Sequence, residues 1–426
     1  MPPLERRLPH AMVIAESAGE IDDPKAAARR LRQRLHRSGG GPSAEPAASP
    51  PRSCATRHRV AVAGRGLVLS TRNPLVVWLA KNEFTLSFLV IAAVHLCRWA
   101  GYEWPSAWLS IQHQARPADA PGGARYVRGI HDITFVVYWI FQIVAARAVM
   151  LQHVLPVIPR YFGITSDRKQ RRFGEMGWFV TYILASLTVG IRVWQASPYY
   201  MNTRNLYANY PEDHVLMPYG LKWYYLVQTA FWISNLYTIF VEERRKDHLE
   251  MLAHHVVTIA LVTTSYHFHF TRFGHVFMLV MDFPDVFLSP AKMVRYLGGE
   301  IVPNILFGAF TVSWVMTKHY LCLKLMFSIW TQGIYEVPPE KRFPTCPDSY
   351  ASYPIVGAMW AVLCILQAIL VYWFVLILRV LQRVLVNGED AQDSRSDDEG
   401  DDDNDGANDN ATTPVKTKTP NVTRRD

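Results

Sequence analysis

Two histidines and two aspartates lie inside apolar stretches of this chain, where ionisable side chains are rare. His254 and His255 are adjacent in one stretch, and Asp282 and Asp285 lie three residues apart in the next. An ionisable group inside a membrane span costs about 2.5 to 3.5 kcal/mol, so it persists where it is paired, lines a cavity or takes part in function. An imidazole takes up a proton near neutral pH, and a carboxylate can orient the ring and stabilise its cation. The four residues therefore predict acid–base or nucleophilic catalysis within a membrane.

The spacing of the two stretches places these side chains at one depth. A short connection, His267–Arg272, joins the stretches and predicts an antiparallel helical hairpin. With His269 as the midpoint, His255 lies fourteen residues before it and Phe283 fourteen after it. Because both helices rise equally per residue, the histidines and aspartates should lie about 20 Å from the turn. The aspartates share a helix face, whereas the adjacent histidines diverge by about 100°, so that one can face the carboxylates.

Two other roles for the same residues stay open. They could form a structural polar cluster that holds two helices together. They could also bind a metal, because histidines and carboxylates suit Zn or Fe. The chain lacks HxxxH and HxxHH boxes, and His248 lies six residues before His254, which is poor spacing for one helix face. We therefore expect no metal and no other cofactor.

The composition is that of a membrane protein. The chain has 426 residues, of which 50% are hydrophobic and only 19% charged, whereas soluble domains carry about 25% charged residues. A membrane-spanning helix needs about 20 mostly apolar residues, and about eight stretches qualify. They begin near Phe84, Thr134, Trp178, Tyr224, His248, Gly274, Ile305 and Ile355. The predicted fold class is therefore an all-α polytopic membrane protein.

The distribution of Lys and Arg predicts the orientation, since short cytosolic loops are enriched in both. Basic residues follow the second, fourth and sixth spans: Arg160, Arg168, Lys169, Arg171, Arg172, Arg244, Arg245, Lys246, Lys292 and Arg295. By contrast, the loop 196–220 contains only one Lys or Arg residue, Arg204. We therefore predict that these basic loops and both termini face the cytosol.

Composition also divides the chain into three segments. Residues 1–73 are predicted to be a disordered basic arm, 74–387 the membrane domain and 388–426 a disordered acidic tail. The tail holds ten acidic residues between Glu389 and Asp405. Ser394 and Ser396 precede part of this acidic run, a context that acidophilic kinases favour, so they are candidate phosphosites; a purely solvating tail is the alternative.

The formal net charge of +8 does not predict a nucleic-acid partner, because the basic residues flank hydrophobic runs instead of alternating with aromatics.

The segment that carries the histidines and aspartates resembles a known family. Residues 246–296 read KDHLEMLAHHVVTIALVTTSYHFHFTRFGHVFMLVMDFPDVFLSPAKMVRY. This is similar to the Lag1 motif of ceramide synthases, within the TLC (TRAM–Lag1–CLN8) domain. The shared positions are His254, His255, Thr258, Ser265, Tyr266, Arg272, Gly274, Asp282, Asp285, Ala291, Lys292 and Tyr296. Met281 before Asp282 resembles fungal members, and Pro290 departs from the pattern and predicts a kink.

The resemblance implies a TLC domain over about 130–386, a helical bundle or barrel around a lipid cavity, in the endoplasmic reticulum. It implies acyl transfer from a fatty acyl-CoA to a sphingoid base, either dihydrosphingosine or phytosphingosine. The implied catalytic residues are His254, His255, Asp282 and Asp285, and the implied substrate-binding residues are Ser265, Tyr266, Arg272, Lys292, Arg244, Arg245 and Lys246. For the basic residues near the cytosol, a role in topology alone is the alternative. A dimer, with itself or with a paralogue, or a small single-span accessory subunit would be the protein partners.

Two catalytic routes and several rival functions stay open at this point. A histidine can act as a general base towards the amine, or attack the thioester and form an acyl-imidazole that the amine resolves. A non-catalytic TLC-domain protein would generally lack the complete set of histidines and aspartates. A fatty-acid elongase would need an HxxHH box, and residues 250–255 read EMLAHH. A transporter would show internal repeats, and the sequence shows none.

Overall fold

The computed structural model describes residues 60–61, 68–69, 74–119, 122–242, 246–337, 339, 342–343 and 352–387. Most of the predicted N-terminal arm, the predicted acidic tail with Ser394 and Ser396, and Arg244 and Arg245 lie outside these residues. Strands β1 (Val60–Ala61) and β2 (Val68–Leu69) pair antiparallel within the arm that we predicted to be disordered.

The described chain is almost entirely helical. Its α-helices are α1 (Pro74–Trp99), α2 (Ser106–Leu109), α3 (His131–Val149), α4 (Val157–Tyr161), α5 (Asp167–Gln195), α6 (Glu212–Val215), α7 (Tyr219–Val241), α8 (His248–His267), α9 (Thr271–Asp282), α10 (Asp285–Tyr296), α11 (Ile301–Trp314), α12 (Cys322–Ser328), α13 (Ile334–Glu336) and α14 (Tyr353–Asn387). Three π-helical segments (Met150–Val154, Val315–Leu321 and Ile329–Gly333) and one 3₁₀ turn (Arg204–Leu206) interrupt or join them.

Every predicted span start lies in a helix, but fewer helices than predicted meet the criteria for a membrane span. Among the described residues, 5 helical segments are long and apolar enough: Val77–Trp99, His131–Tyr161, Asp167–Gln195, Ile301–Glu336 and Tyr353–Val386. Helix α7 is rich in Tyr and Trp, α8 carries the polar histidines, and α9 and α10 have only 12 residues each. The prediction of eight spans is therefore not confirmed, whereas the multi-pass helical membrane fold is.

The predicted sixth span is broken at Pro284. Helix α9 ends at Asp282 and α10 begins at Asp285. A proline has no N–H, and its ring clashes with the carbonyl four residues earlier, so the α-helical hydrogen bonds stop there. The chain continues through a tighter bond, from the Phe287 amide to the Pro284 carbonyl at 3.0 Å. Helix α10 runs on through Pro290. The break between the two helices thus lies at Pro284, and the kink predicted at Pro290 stays a prediction.

The long helices pack in a closed sequence of neighbours. Helix α5 contacts α7, α7 contacts α8, and α8 contacts α14, which contacts the π segment Val315–Leu321. That segment continues α11, which packs against α10, and α10 returns to α5. Helix α3 lies outside this ring, between α1 and α7, and α9 packs against α5 and α8. The interior of the ring holds the cavity described below.

A small polar cap covers one end of the bundle, which we call the strand end. Strands β3 (Gln114–Arg116), β4 (Arg125–Tyr126) and β5 (Met217–Pro218) form an antiparallel sheet there. Beneath it, the fully buried Lys222 Nζ lies 2.7 Å from Asp132 Oδ1. A buried ion pair is tolerated when its remaining hydrogen-bonding capacity is met, and here Lys222 also donates to the carbonyls of Gln112 and Val127. Asp132 therefore joins the end of α3 to α7.

Candidate functional site

A cavity of about 260 Å³ lies inside the helix ring. Its walls come from α3, α5, α7, α8, α10, α11, α14 and the π segment after α11. The lining residues are Arg147, Glu175, Met176, Trp178, Phe179, Trp232, Asn235, Thr238, Ile239, Glu242, His248, Met251, His254, His255, Asp285, Leu288, Ser289, Lys292, Trp314, Lys318 and Trp373. The cavity thus combines aromatic walls with a few ionisable groups, as ligand pockets commonly do.

The paired histidines lie on this cavity within an aromatic frame. Their ring centroids are 5.5 Å apart and nearly perpendicular, as expected of adjacent residues on a helix. Trp232 contacts both rings, at 5.8 Å and 5.4 Å, and Trp373 contacts His254 at 5.2 Å. These indoles hold the two imidazoles in fixed directions.

The two histidines differ in their hydrogen bonds. His255 Nδ1 lies 2.9 Å from the Met251 carbonyl. A carbonyl only accepts hydrogen bonds, so Nδ1 carries the proton and Nε2 keeps its lone pair. His254 Nδ1 is buried and has no hydrogen-bond partner among the described residues. His255 is therefore held by its own helix, whereas His254 has its bonding capacity free for a ligand.

Asp285 faces the cavity and is paired with a lysine. Lys318 Nζ lies 3.4 Å from Asp285 Oδ2, and the same ammonium lies 4.4 Å from the centroid of the Trp314 ring. Both Asp285 and Lys318 line the cavity with His254 and His255. The structure thus places one of the two predicted carboxylates on the same cavity as the histidines.

Asp282 has a different hydrogen-bond partner from Asp285. It is 4% exposed and is not among the residues that line the cavity. Gln228 Nε2 donates to Asp282 Oδ2 at 3.4 Å, and it also contacts Ser186 Oγ and Tyr224 OH. Asp282 therefore belongs to a buried polar network between α5, α7 and α9. Its charge also interacts with those of Asp285 and Lys318, so the shared helix face of the two aspartates stays a prediction.

Three other residues of the Lag1-like motif lie away from the cavity and bond to protein groups. The Ser265 hydroxyl pairs with Tyr225 OH at 2.8 Å, and Tyr266 OH donates to Asp132 Oδ2 at 2.7 Å. The Arg272 guanidinium donates to backbone carbonyls, including that of Asn205 at 3.3 Å. The structure thus gives each of them a partner within the fold, and their predicted contact with substrate stays untested.

The basic residues predicted for substrate binding do not all lie at the cavity. Lys292 lines the cavity, Lys246 lies just before α8 outside the lining set, and Arg244 and Arg245 fall outside the described residues. His248, the first residue of α8, also lines the cavity. The cavity therefore extends along α8 from its first residue to the histidines, a distance of about 9 Å by helical rise.

Two features of the cavity were missed by sequence reasoning. Lys318 was passed over because it lies within a long apolar stretch, although a lysine there is itself a signal. Arg147, within the predicted second span, forms ion pairs with Glu242 and, at 3.8 Å, with Glu83. Its acidic partners come from α1 and the end of α7, so only the three-dimensional packing reveals the pairing.

Comparisons with known proteins agree with the geometry. The TLC domain family matches residues 172–379. The sphingosine N-acyltransferase lag1 of Schizosaccharomyces pombe is 33% identical over 328 residues, which cover 76% of this chain and 80% of that protein. The ceramide synthase FUM18 of Gibberella moniliformis is 28% identical, with coverage of 74% and 77%. The ceramide synthase LAG1 of Saccharomyces cerevisiae is 29% identical, with 68% of each chain covered.

Proposed function

The chain belongs to the ceramide synthase (Lag1) family of TLC-domain proteins, and we propose that it joins the acyl group of a fatty acyl-CoA to the amine of a sphingoid base. One observation carries this proposal: the adjacent His254 and His255 line a cavity between membrane helices together with Asp285. Its largely apolar lining suits a lipid substrate, and a site of this kind limits the access of bulk water to a reactive thioester. The base is dihydrosphingosine or phytosphingosine, and acyl-CoA is a co-substrate, so no cofactor is needed.

In the proposed reaction, an imidazole removes the proton from the ammonium group of the base. The free amine attacks the thioester carbonyl, the nitrogen gives up a second proton as the amide forms, and the C–S bond breaks. One of the two protons goes to the CoA thiolate and the other to solvent. His255 has a free Nε2 lone pair for proton transfer, and His254 can act as a second base or as the nucleophile of the acyl-imidazole route. Asp285 stabilises the positive charge that develops on the ring. Asp282, the second proposed carboxylate, acts through its electrostatic interaction with Asp285 and Lys318.

We further propose that the chain crosses the membrane of the endoplasmic reticulum eight times, with both termini in the cytosol. Helices α7 and α8 have 23 and 20 residues, or about 34 and 30 Å by helical rise, which matches a hydrocarbon core of about 30 Å. Together, α9 and α10 provide the remaining crossing. In this orientation the start of α8 lies at the cytosolic side, so Lys292, Lys246, Arg244 and Arg245 can hold the CoA head there.

Three further parts of the proposal concern regulation and assembly. Ser394 and Ser396 are phosphorylation sites within the acidic tail, because each is followed by acidic residues. Ser265, Tyr266 and Arg272 support the site from the strand end of the hairpin. The enzyme assembles as a homodimer or with a paralogue, or with a small single-span subunit, as the family resemblance implies.

The test is an assay of microsomes from cells that lack their own ceramide synthases and express this chain. They receive a labelled sphingoid base and a panel of acyl-CoAs. The proposal predicts an N-acylated product whose mass equals that of the base plus that of the fatty acid minus water. Microsomes with the empty vector are the control. Expression of the intact protein without any such product, over the whole panel and with both bases, would overturn the proposal.

A further inference from the structure

A lysine on the cavity wall has no role in the reaction described so far. Lys318 is 7% exposed and lies in the π-helical segment Val315–Leu321. A charged side chain inside a membrane span is costly and indicates a functional site by default. Short π-helical insertions into α-helices also occur frequently at functional sites. Position and backbone geometry therefore both indicate that this lysine has a function beyond packing.

The ammonium of Lys318 has unused hydrogen-bonding capacity. It has three N–H donors, and among the described residues its only hydrogen bond goes to Asp285 Oδ2, at 3.4 Å. The pair with Asp285 also neutralises both charges, so the cavity can hold them without a net charge. At least one N–H is thus available to a ligand in the cavity.

Two further donors lie in the same wall. The indole nitrogens of Trp314 and Trp373 are buried and have no hydrogen-bond partner among the described residues. Both residues line the cavity. Trp314 lies under the Lys318 ammonium, and Trp373 contacts the ring of His254. The wall next to the paired histidines is therefore rich in donors and has one cation.

The acyl transfer needs donors of this kind. When an amine or an imidazole attacks the thioester, the carbonyl π electrons move to oxygen, and the tetrahedral intermediate carries an oxyanion until the C–S bond breaks. Both catalytic routes pass through this species. Donors held ready in a dry site stabilise an oxyanion strongly, and the loss of one such donor costs about 100- to 1,000-fold in kcat.

We infer that Lys318 is a catalytic residue, whose ammonium donates a hydrogen bond to the thioester carbonyl oxygen as it becomes an oxyanion. Asp285 holds the ammonium in place, and the Trp314 indole supports it from below. Lys318 keeps its proton throughout, so a proton from the amine still passes by way of histidine to the CoA thiolate. This inference rests on the proposed acyltransferase function.

The first test replaces Lys318 by Met, which keeps length and removes the charge and the donors. The expected result is a fall in kcat of about 100-fold or more. The inhibition constant of an S-alkyl-CoA thioether, which has no carbonyl, should change less than threefold. Lys318→Arg, which keeps donors and charge, should retain more activity than Lys318→Met. Lys324→Met is the matched control, because Lys324 lies on the same helical segment, is exposed and is not among the cavity residues; it should leave kcat unchanged.

A second comparison separates oxyanion stabilisation from a role as counter-ion to Asp285. In the Asp285→Asn background the carboxylate that bonds directly to Lys318 is already neutral when the lysine is removed. If Lys318 acts on the oxyanion, the double variant Lys318→Met/Asp285→Asn should have a kcat at least tenfold below that of Asp285→Asn alone. If it serves only to neutralise Asp285, the double variant should equal Asp285→Asn. The inference would be overturned if the double variant had the same kcat as Asp285→Asn. It would also be overturned if Lys318→Met weakened thioether binding by the same factor as it lowered kcat. Absence of activity in the wild-type protein would instead refute the proposed function.

Discussion

The ion pair between Lys222 and Asp132 allows a quantitative test of how the hairpin of the histidines is anchored. Lys222 is completely buried, and its ammonium is bonded to Asp132 and to the carbonyls of Gln112 and Val127. Asp132 in turn accepts a hydrogen bond from Tyr266, which lies near the end of α8. The pair therefore ties the strand end of α8 to α3 and α7.

Replacing Lys222 by Met strands the Asp132 carboxylate in a buried site. Breaking a buried pair by removing one partner costs about 3 to 5 kcal/mol, because the remaining charge is left uncompensated. Two carbonyl oxygens also lose their donor, and each buried unsatisfied group costs about 1 to 3 kcal/mol. Even a loss of about 3 kcal/mol, the lower estimate for the broken pair, is a large share of the total stability of about 5 to 15 kcal/mol that folded proteins have. By the scaling for domains of about 150 to 250 residues, this loss corresponds to a fall in Tm of about 10 °C.

The assay is thermal unfolding of the purified protein in detergent, followed by loss of the monodisperse peak. Lys222→Met should lower Tm by about 10 °C, and the exposed control Lys324→Met should leave it unchanged. Adding Asp132→Asn to Lys222→Met should raise Tm again, because it removes the stranded charge. A Tm of Lys222→Met within 2 °C of wild type, roughly 1 kcal/mol or less, would refute this account of the anchor. A double variant less stable than Lys222→Met would contradict it too.

Three further predictions concern the aspartates, the topology and the tail. Asp285→Asn should lower kcat by about 100-fold in protein that still folds, since the charge of Asp285 faces the cavity. Asp282→Asn should mainly lower Tm, because the network of Asp282 with Gln228 is buried. Activity of Asp285→Asn within threefold of wild type would refute the prediction for Asp285. Asn410 and Asn421 each begin an N-x-Thr glycosylation sequon in the acidic tail. With both termini cytosolic they should carry no glycan, and a mobility shift on glycosidase treatment would contradict the topology. Truncation before Gly388 should leave basal activity intact, and its loss in folded protein would make the tail structural.

The sequence predicted the helices well because their signal is local. Each of the apolar stretches falls on a helix, and the turn near His269 has the short length that the spacing of polar residues required. The hairpin prediction holds for the same reason, since the rise per residue is fixed by backbone geometry. Span boundaries were less accurate. Helix α5, for example, begins at Asp167 after the N-cap Ser166, well before its apolar part at Trp178.

The contacts across the cavity could not be read from the sequence. Pro284 divides the predicted sixth span between Asp282 and Asp285, and the hydrogen-bond partners of the two carboxylates, Gln228 and Lys318, lie on other helices. Lys318 lies 33 residues from Asp285 along the chain, and no periodicity links them. Motif membership likewise did not show that Tyr266 bonds to Asp132. Such pairings depend on how distant helices pack, which one sequence alone does not specify.

The central claim is that the paired histidines perform acyl transfer, and it is tested most directly by replacing each one. His254→Ala and His255→Ala should both accumulate in the membrane at wild-type levels and bind an S-alkyl-CoA thioether normally, while the rate of N-acylation per folded protein falls by a factor of at least about 100, the range expected for loss of a proton-transfer group. Turnover in both variants at the wild-type rate would show that the chemistry lies elsewhere and would contradict the account.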